Sequence, residues 1–247
     1  MKKTLTLTAA AAVLLAFISG CARTSSPGSL ETAPSIFTSA ETETASVTET
    51  ETGTEPTDET DAGTEETAKA SDFVWKRDAD GKVWLDAYVG VFSYVAVPAT
   101  VPETGEEVTG IDAWAFRDNA NLKKVVIPEG VTEIGKGAFM YCAALEEVKL
   151  PSSLKTLGSQ AFYRCESLKT ATVPEGVTEL DYAQFMLCTS LTEVNLPSTL
   201  AKIGDDAFFR CDALVTINFS GGWDKWNAIE FGNNALPQYY HSINCLG

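Results

Sequence analysis

From Val108 to Gly222 the apolar and polar positions recur every 23 residues without a gap, in units 108–130, 131–153, 154–176, 177–199 and 200–222. Phenylalanine falls at 116, 139, 162, 185 and 208, and leucine at 122, 145, 168, 191 and 214. Proline falls at 128, 151, 174 and 197, and cysteine at 142, 165, 188 and 211. A unit of this size cannot enclose a core, so each must close its apolar side against its neighbours, which predicts a solenoid.

Within a unit, L-x-x-V-x-[IL]-P reads as a short strand, with Val148 and Leu150 inward and the proline ending it. The next pair, such as Glu129-Gly130 or Ser152-Ser153, makes a turn. V-T-x-[IL]-G is a second extended segment, with Val131 and Ile134 inward. Gly135, Gly158 and Gly204 suit a backbone of positive φ, and Asp112 and Asp181 tolerate that region better than most residues. A-F-x-x-C reads as one helical or 3-10 turn, with Phe139 filling the coil and Ala138 allowing close approach. The predicted fold is a mostly β solenoid of short parallel strands with one short turn per unit. Ladders about 4.8 Å apart make the five units a slab roughly 24 Å long.

Both ends of the array carry capping patterns. Residues 73–107 begin with two strand-like runs, Phe73 to Arg77 and Lys82 to Leu85, around Asp78-Ala79-Asp80-Gly81, a hairpin with an Asp-Gly turn. Val95-Ala96-Val97-Pro98 is a partial copy of the repeat strand. In 223–247, Trp223, Trp226, Ile229, Phe231 and Leu236 can cover the last coil, and Phe231 keeps the phase of Phe208.

The segment 1–20 reads as a signal peptide, with Lys2 and Lys3 ahead of an apolar run from Leu5 to Phe17. Ile18-Ser19-Gly20-Cys21 after it resembles the lipobox of bacterial lipoproteins. The resemblance implies cleavage before Cys21, a diacylglyceryl group on its sulfur, and a chain exported and lipid-anchored to the bacterial envelope. Residues 21–72 then read as a disordered tether: 22–72 hold 13 threonines, 7 serines and 12 acids against Arg23 and Lys69, too little apolar surface to offset chain entropy.

The string L-x-x-V-x-[IL]-P-x-x-[VL]-x-x-[IL]-G-x-x-A-F-x-x-C resembles the BspA-type leucine-rich repeat of bacterial and protist surface proteins. The tail W-x-x-I-x-F-G-N-N-A-L, Trp226 to Leu236, resembles the closing segment of that family. The resemblance covers about 83–247 and implies a surface-exposed binding module, some members being linked to adhesion to host matrix proteins. It implies no fixed ligand. Departures are Asn119 for Cys, Ser220-Gly221 where Pro would fall, and Gln184 for Ala, a polar group in a tight column that loosens its coil.

A net charge of −16 with no basic cluster excludes a nucleic-acid partner. One histidine, His241, and no C-x-x-C leave little for triads, metal sites or acid–base chemistry. No cofactor, metal or catalytic residue is predicted, and Asp78-Ala79-Asp80-Gly81 lacks the later ligands of a calcium loop. The four phased cysteines read as buried thiols or, with distortion, disulfide partners; Cys245 is open to a bridge or a free thiol.

Two surfaces could bind a protein or glycan. Met140, Tyr141, Tyr163, Met186, Leu187 and Phe209, next to the phased phenylalanines, form an outward apolar patch, open to a partner or to cover by loops or a second copy. On the strand face, Lys149, Thr172, Asn195 and Asn218 form a polar column, open to a glycan or extended peptide or simply to solvent. An envelope scaffold, or an envelope glycan hydrolase, are the rival functions. Cys21→Ser is expected to abolish labelling by a radioactive fatty acid and release the protein from the membrane fraction; retained label would remove the anchor.

Overall fold

The computed structural model describes residues 68–237 and 242–246. The expectations for the signal segment, Cys21, most of the tether and His241 lie outside the described residues. A short 3-10 turn at Ala70–Asp72 leads into a hairpin of β1 (Phe73–Arg77) and β2 (Val83–Tyr88). The strands that follow are β3 (Tyr94–Ala96), β4 (Val108–Ile111), β5 (Lys124–Val126), β6 (Glu133–Ile134), β7 (Glu147–Lys149) and β8 (Thr156–Leu157). The second half holds β9 (Thr170–Thr172), β10 (Glu179–Leu180), β11 (Glu193–Leu196), β12 (Lys202–Ile203) and β13 (Thr216–Phe219). A short helix α1 (Trp223–Asn227), β14 (Glu230–Phe231) and β15 (Ser242–Cys245) end it.

The described residues wind as a stack of coils in register. One strand face holds β1-β2-β4-β6-β8 followed by β10-β12-β14; the other holds β3-β5-β7 followed by β9-β11-β13-β15. Every pair after the hairpin is parallel, and the register is the sequence period: Val125 lies on Val148, and Val194 on Ile217. Parallel pairing demands a crossover between partners, and here each crossover is one coil.

The interior is a set of columns. Phe116, Phe139, Phe162, Phe185 and Phe208 stack with ring centroids 4.9 to 5.4 Å apart. Tyr88 and Phe73 extend the column into the hairpin. Leu122, Leu145, Leu168, Leu191 and Leu214 are fully buried. The thiols of Cys142, Cys165, Cys188 and Cys211 donate to the carbonyls of Phe116, Phe139, Phe162 and Phe185, one coil back, at 3.0 to 3.2 Å. Each cysteine therefore supplies small apolar bulk and a weak donor to a carbonyl with a second lone pair. These four and Cys245 are free thiols.

Three sequence expectations need correction. First, A-F-x-x-C is not helical. Its amides do bond three residues back, as Arg117 to Trp114 and Met140 to Gly137, but left-handed residues at both ends of each turn, such as Trp114 and Asp118 or Gln160 and Arg164, break it. Alternate amides then bond the next coil, as Phe139 to Ala161 and Tyr141 to Tyr163, both at 2.9 Å, so this edge is a third ladder. Second, Gly135, Gly158 and Gly204 are absent from the positive-φ positions, which include Gly137. Their reason is space: a Cβ on Gly135 or Gly158 would lie 2.5 Å from a backbone nitrogen of the preceding coil. Third, Phe231 leaves the phenylalanine column. It pairs with Ile203, 28 residues away instead of 23, because α1 inserts five residues. The Phe208 amide bonds the Ala235 carbonyl at 3.2 Å, which puts Leu236 in the column.

At the N-terminal end the Asp78 carboxylate accepts the amides of Asp80 and Lys82 at 2.9 Å and the Trp84 indole at 3.0 Å, which fixes the hairpin turn. At the other end Trp226 and Ile229 of the expected C-terminal cover are buried, whereas Trp223 and Phe231 are exposed. Trp226 lies edge-on against Phe219, with centroids 5.4 Å apart.

Corners carry a second, doubled period. Glu129 accepts the Ser152 amide and hydroxyl at 3.0 and 2.9 Å, and Glu175 accepts those of Ser198 at 2.9 and 3.2 Å. These bonds hold both carboxyls below the usual glutamate range. Pro-Glu-Gly coils thus alternate with Pro-Ser-Ser/Thr coils, and the corners are clamped in pairs. Phe162→Ala, emptying the middle of the ring column, is expected to cost about 3–5 kcal/mol in urea unfolding; a loss under about 1 kcal/mol would mean the rings do not form a continuous core.

Candidate functional site

The turn edge carries a continuous strip of side chains. Two columns build it: Arg117, Met140, Tyr163, Met186 and Phe209, and beside them Asp118, Tyr141, Arg164, Leu187 and Arg210. Phenylalanine and cysteine take the inward places, so these residues are left outside, half-buried or exposed. The second column is left-handed throughout, held there by the inter-coil bonds. Backbone strain of this kind persists only where surrounding structure enforces it, and it fixes where the side chains leave the surface.

The strip is knitted together. Tyr141 and Tyr163 meet edge to face at 5.5 Å. The Arg117 and Arg164 guanidinium groups both lie 5.9 Å from the Tyr141 ring, and Arg210 lies 5.8 Å from the Phe209 ring. Arg117 also pairs with Asp118 at 3.0 Å. The structure thus brings together all six patch residues expected from the sequence. It adds four that the pattern had not singled out: Arg164 and Arg210, one column step from Tyr141 and Leu187, and the exposed rings of Trp114 and Tyr182 on the flank. The signal was present in the composition. Three of the chain's five arginines, and both methionines after Met1, stand on this edge. Aromatic residues, methionine and arginine are the types that protein interfaces favour.

The strand face behaves differently. The Asn195 amide donates to the Thr172 hydroxyl at 3.1 Å, Asn218 donates to Asn195 at 2.9 Å and Asn244 to Asn218 at 2.8 Å. Asn218 also donates to Glu193 at 2.8 Å. Thr172, Asn195 and Asn218 therefore share one column, as expected, and Asn244 joins it. Asn244 was hidden from the 23-residue alignment because it lies 26 residues on. Lys149 stands apart, since β7 does not pair with β9. These amides spend their donors on one another, which leaves less for a ligand.

Chemistry is sparse elsewhere. Burial pushes the Cys142 thiol up to about 12 and those of Cys165 and Cys188 well above the ordinary range; a thiol held in that state is a poor nucleophile. Among the described residues no group of three or more His, Cys, Asp or Glu could hold a metal, and no helix is long and apolar enough to cross a membrane.

Residues 109–236 match the BspA type leucine rich repeat region in six copies. The chain belongs to this family. Family members are typically cell-surface proteins, and such repeats form interaction or adhesion-type modules. The chain is 34% identical to a leucine rich cell surface protein of Faecalibacterium prausnitzii A2-165, with a TM-score of 0.56 over 64% of this chain and 40% of that one. It thus spans well under half of that relative. It is 25% identical to the T. pallidum leucine rich repeat protein, with a TM-score of 0.59 over 72% of this chain and 86% of that one. No curated protein matches the chain significantly.

A thiol reagent at pH 8 is expected to label Cys245, which is only half-buried, in the native protein carrying Cys21→Ser. Cys142, Cys165, Cys188 and Cys211 should react only as the protein unfolds in denaturant. Native labelling of the four at the rate of Cys245 would contradict the buried ladder.

Proposed function

We propose that this chain is a lipid-anchored surface module of a bacterial envelope that binds a protein partner through its turn edge. Cys21 is the anchor, and residues 21–72 hold the solenoid away from the membrane. The observation that carries the binding site is the arginine–aromatic strip. In a chain of net charge −16, cationic side chains stacked on rings collect on one edge. Arginine over an aromatic face gives a flat, partly dehydrated surface that loses little freedom on binding. The asparagine column makes a glycan on the strand face the weaker reading, because its donors are already used. Nothing in this account needs catalysis.

The test is binding of the full chain to arrays of purified extracellular-matrix proteins and of glycans, at several salt concentrations. A protein hit is expected. Replacing Met140, Tyr163, Met186 and Phe209 together by serine, in a variant that stays folded by circular dichroism, should weaken it at least about tenfold, as loss of an interface hot spot does. Arg164→Ala should weaken the same interaction. Unchanged binding by both folded variants would reject this edge. Loss on Thr172→Ala with the edge variants unaffected would move the site to the strand face.

A further inference from the structure

The strand ladders are interrupted once, on both faces, at the same level. Among the described residues no strand pairing joins β7 to β9 on one face or β8 to β10 on the other. Elsewhere the amides of Gly135, Gly158 and Gly204 bond Ile111, Ile134 and Leu180 one coil back at 2.7 to 2.8 Å. The equivalent Asp181 amide makes no such bond, nor do the equivalent amides of Leu150 and Thr178. Lys169 still reaches Glu146, but at 3.4 Å. Val148 and Leu150 beside the gap are only half-buried, whereas Val125 and Val194 in the same column as Val148 are fully buried.

The coil below the gap carries the cause. Asp181 stands in the glycine column, where a Cβ would meet the backbone of the preceding coil at 2.5 Å on Gly158 and 3.0 Å on Gly204. Gln184 stands in the alanine column of Ala138, Ala161 and Ala207. It is fully buried, and neither its Oε1 nor its Nε2 has a partner. Ala171 replaces the larger valine of its strand column and leaves space. The corner clamps skip this level as well: Glu129 joins the coils above it, Glu175 those below.

Across the gap the turn edge keeps its full set of bonds, and only a few others join it, among them the Lys169–Glu146 ion pair at 2.7 Å and the Ser190 amide on the Glu166 carbonyl at 3.1 Å. Gln160, Phe162 and Arg164 donate to Tyr182, Gln184 and Met186 at 3.0, 3.1 and 2.9 Å, and Phe162 stacks on Phe185 at 5.3 Å. We infer that the solenoid is two rigid ladder blocks, 73–168 and 169–237 with β15, that hinge about this edge. Closing the seam leaves the Gln184 amide dry and unpaired; opening it admits water to that amide. The two arrangements are thereby brought close in free energy. The strip of arginines and aromatics crosses the hinge line, but the inference does not rest on its binding anything.

Hydrogen exchange on the full chain tests the gap. The amides of Leu150, Thr178 and Asp181 should exchange at least about a hundredfold faster than those of Ile127, Gly135 and Gly204. The double variant Asp181→Gly/Gln184→Ala should slow exchange at position 181 at least about tenfold and raise the unfolding midpoint. Motion is read separately, from spin labels at Glu133 and Ala201, one strand beyond the seam on each side. Their distance distribution should be broad in the parent chain and narrower in the double variant. Equal protection of the two amide sets, or equally narrow distributions in both proteins, would overturn the hinge.

Discussion

Main-chain hydrogen bonding between parallel coils sets a spacing of about 4.8 Å that every side chain must fit. Everything else in this protein is an accommodation to that number. Rings stack because flat groups tile at this distance; leucines and thiols repeat because only the same shape fits the same slot one layer down. Glycine is required where two backbones touch, and alanine where they nearly do. A conventional core tolerates compensating exchanges among neighbours in three dimensions. A column tolerates only what its two axial neighbours allow, so a single misfit residue parts two layers and not one contact.

That difference explains how the coil 169–191 can keep its consensus proline, phenylalanine, cysteine and leucine, Pro174, Phe185, Cys188 and Leu191, and still interrupt both faces. Its two exceptions occupy the two tightest columns. Asp181 puts a Cβ in the column of close backbone approach, and Gln184 adds polarity where no partner is in reach. The turn edge survives because its bonds run through backbone groups on the far side of the phenylalanine stack. The weakest layer contact and the most richly decorated surface thus meet at one level of the array.

Much of the architecture was legible because it is periodic. Phe139 announces Phe162, and the spacing alone implies the parallel ladders. The hairpin turn was equally plain, since Asp78 and Gly81 have few other uses together. Local backbone geometry was not legible. Gly135 and Gly137 look alike in a string, yet one answers to a neighbouring coil and the other to its own φ. A single extra turn of helix, Trp223 to Asn227, shifts everything after it, so Phe231 kept its phase on paper and lost it in space. The candidate strip was half legible: Met140 and Tyr163 follow from their place beside phenylalanine, whereas Arg164 and Arg210 matter because they lie over rings, Arg164 over Tyr141 of the preceding coil and Arg210 over its neighbour Phe209. The gap was foreshadowed by Gln184 but not by Asp181, which passed as a tolerable substitute for glycine.

The alternation of glutamate and serine corners has a consequence for how such a protein can change its length. Each acidic corner finds its donors in the layer beneath, so the natural unit of growth is a pair of layers. Gaining or losing one layer would set carboxylate beside carboxylate, or hydroxyl beside hydroxyl, along one seam of the stack. Lengthening by 46 residues preserves every partner. The reach of this array is therefore extended without flaw in even steps, and an odd insertion mismatches the corner at its join.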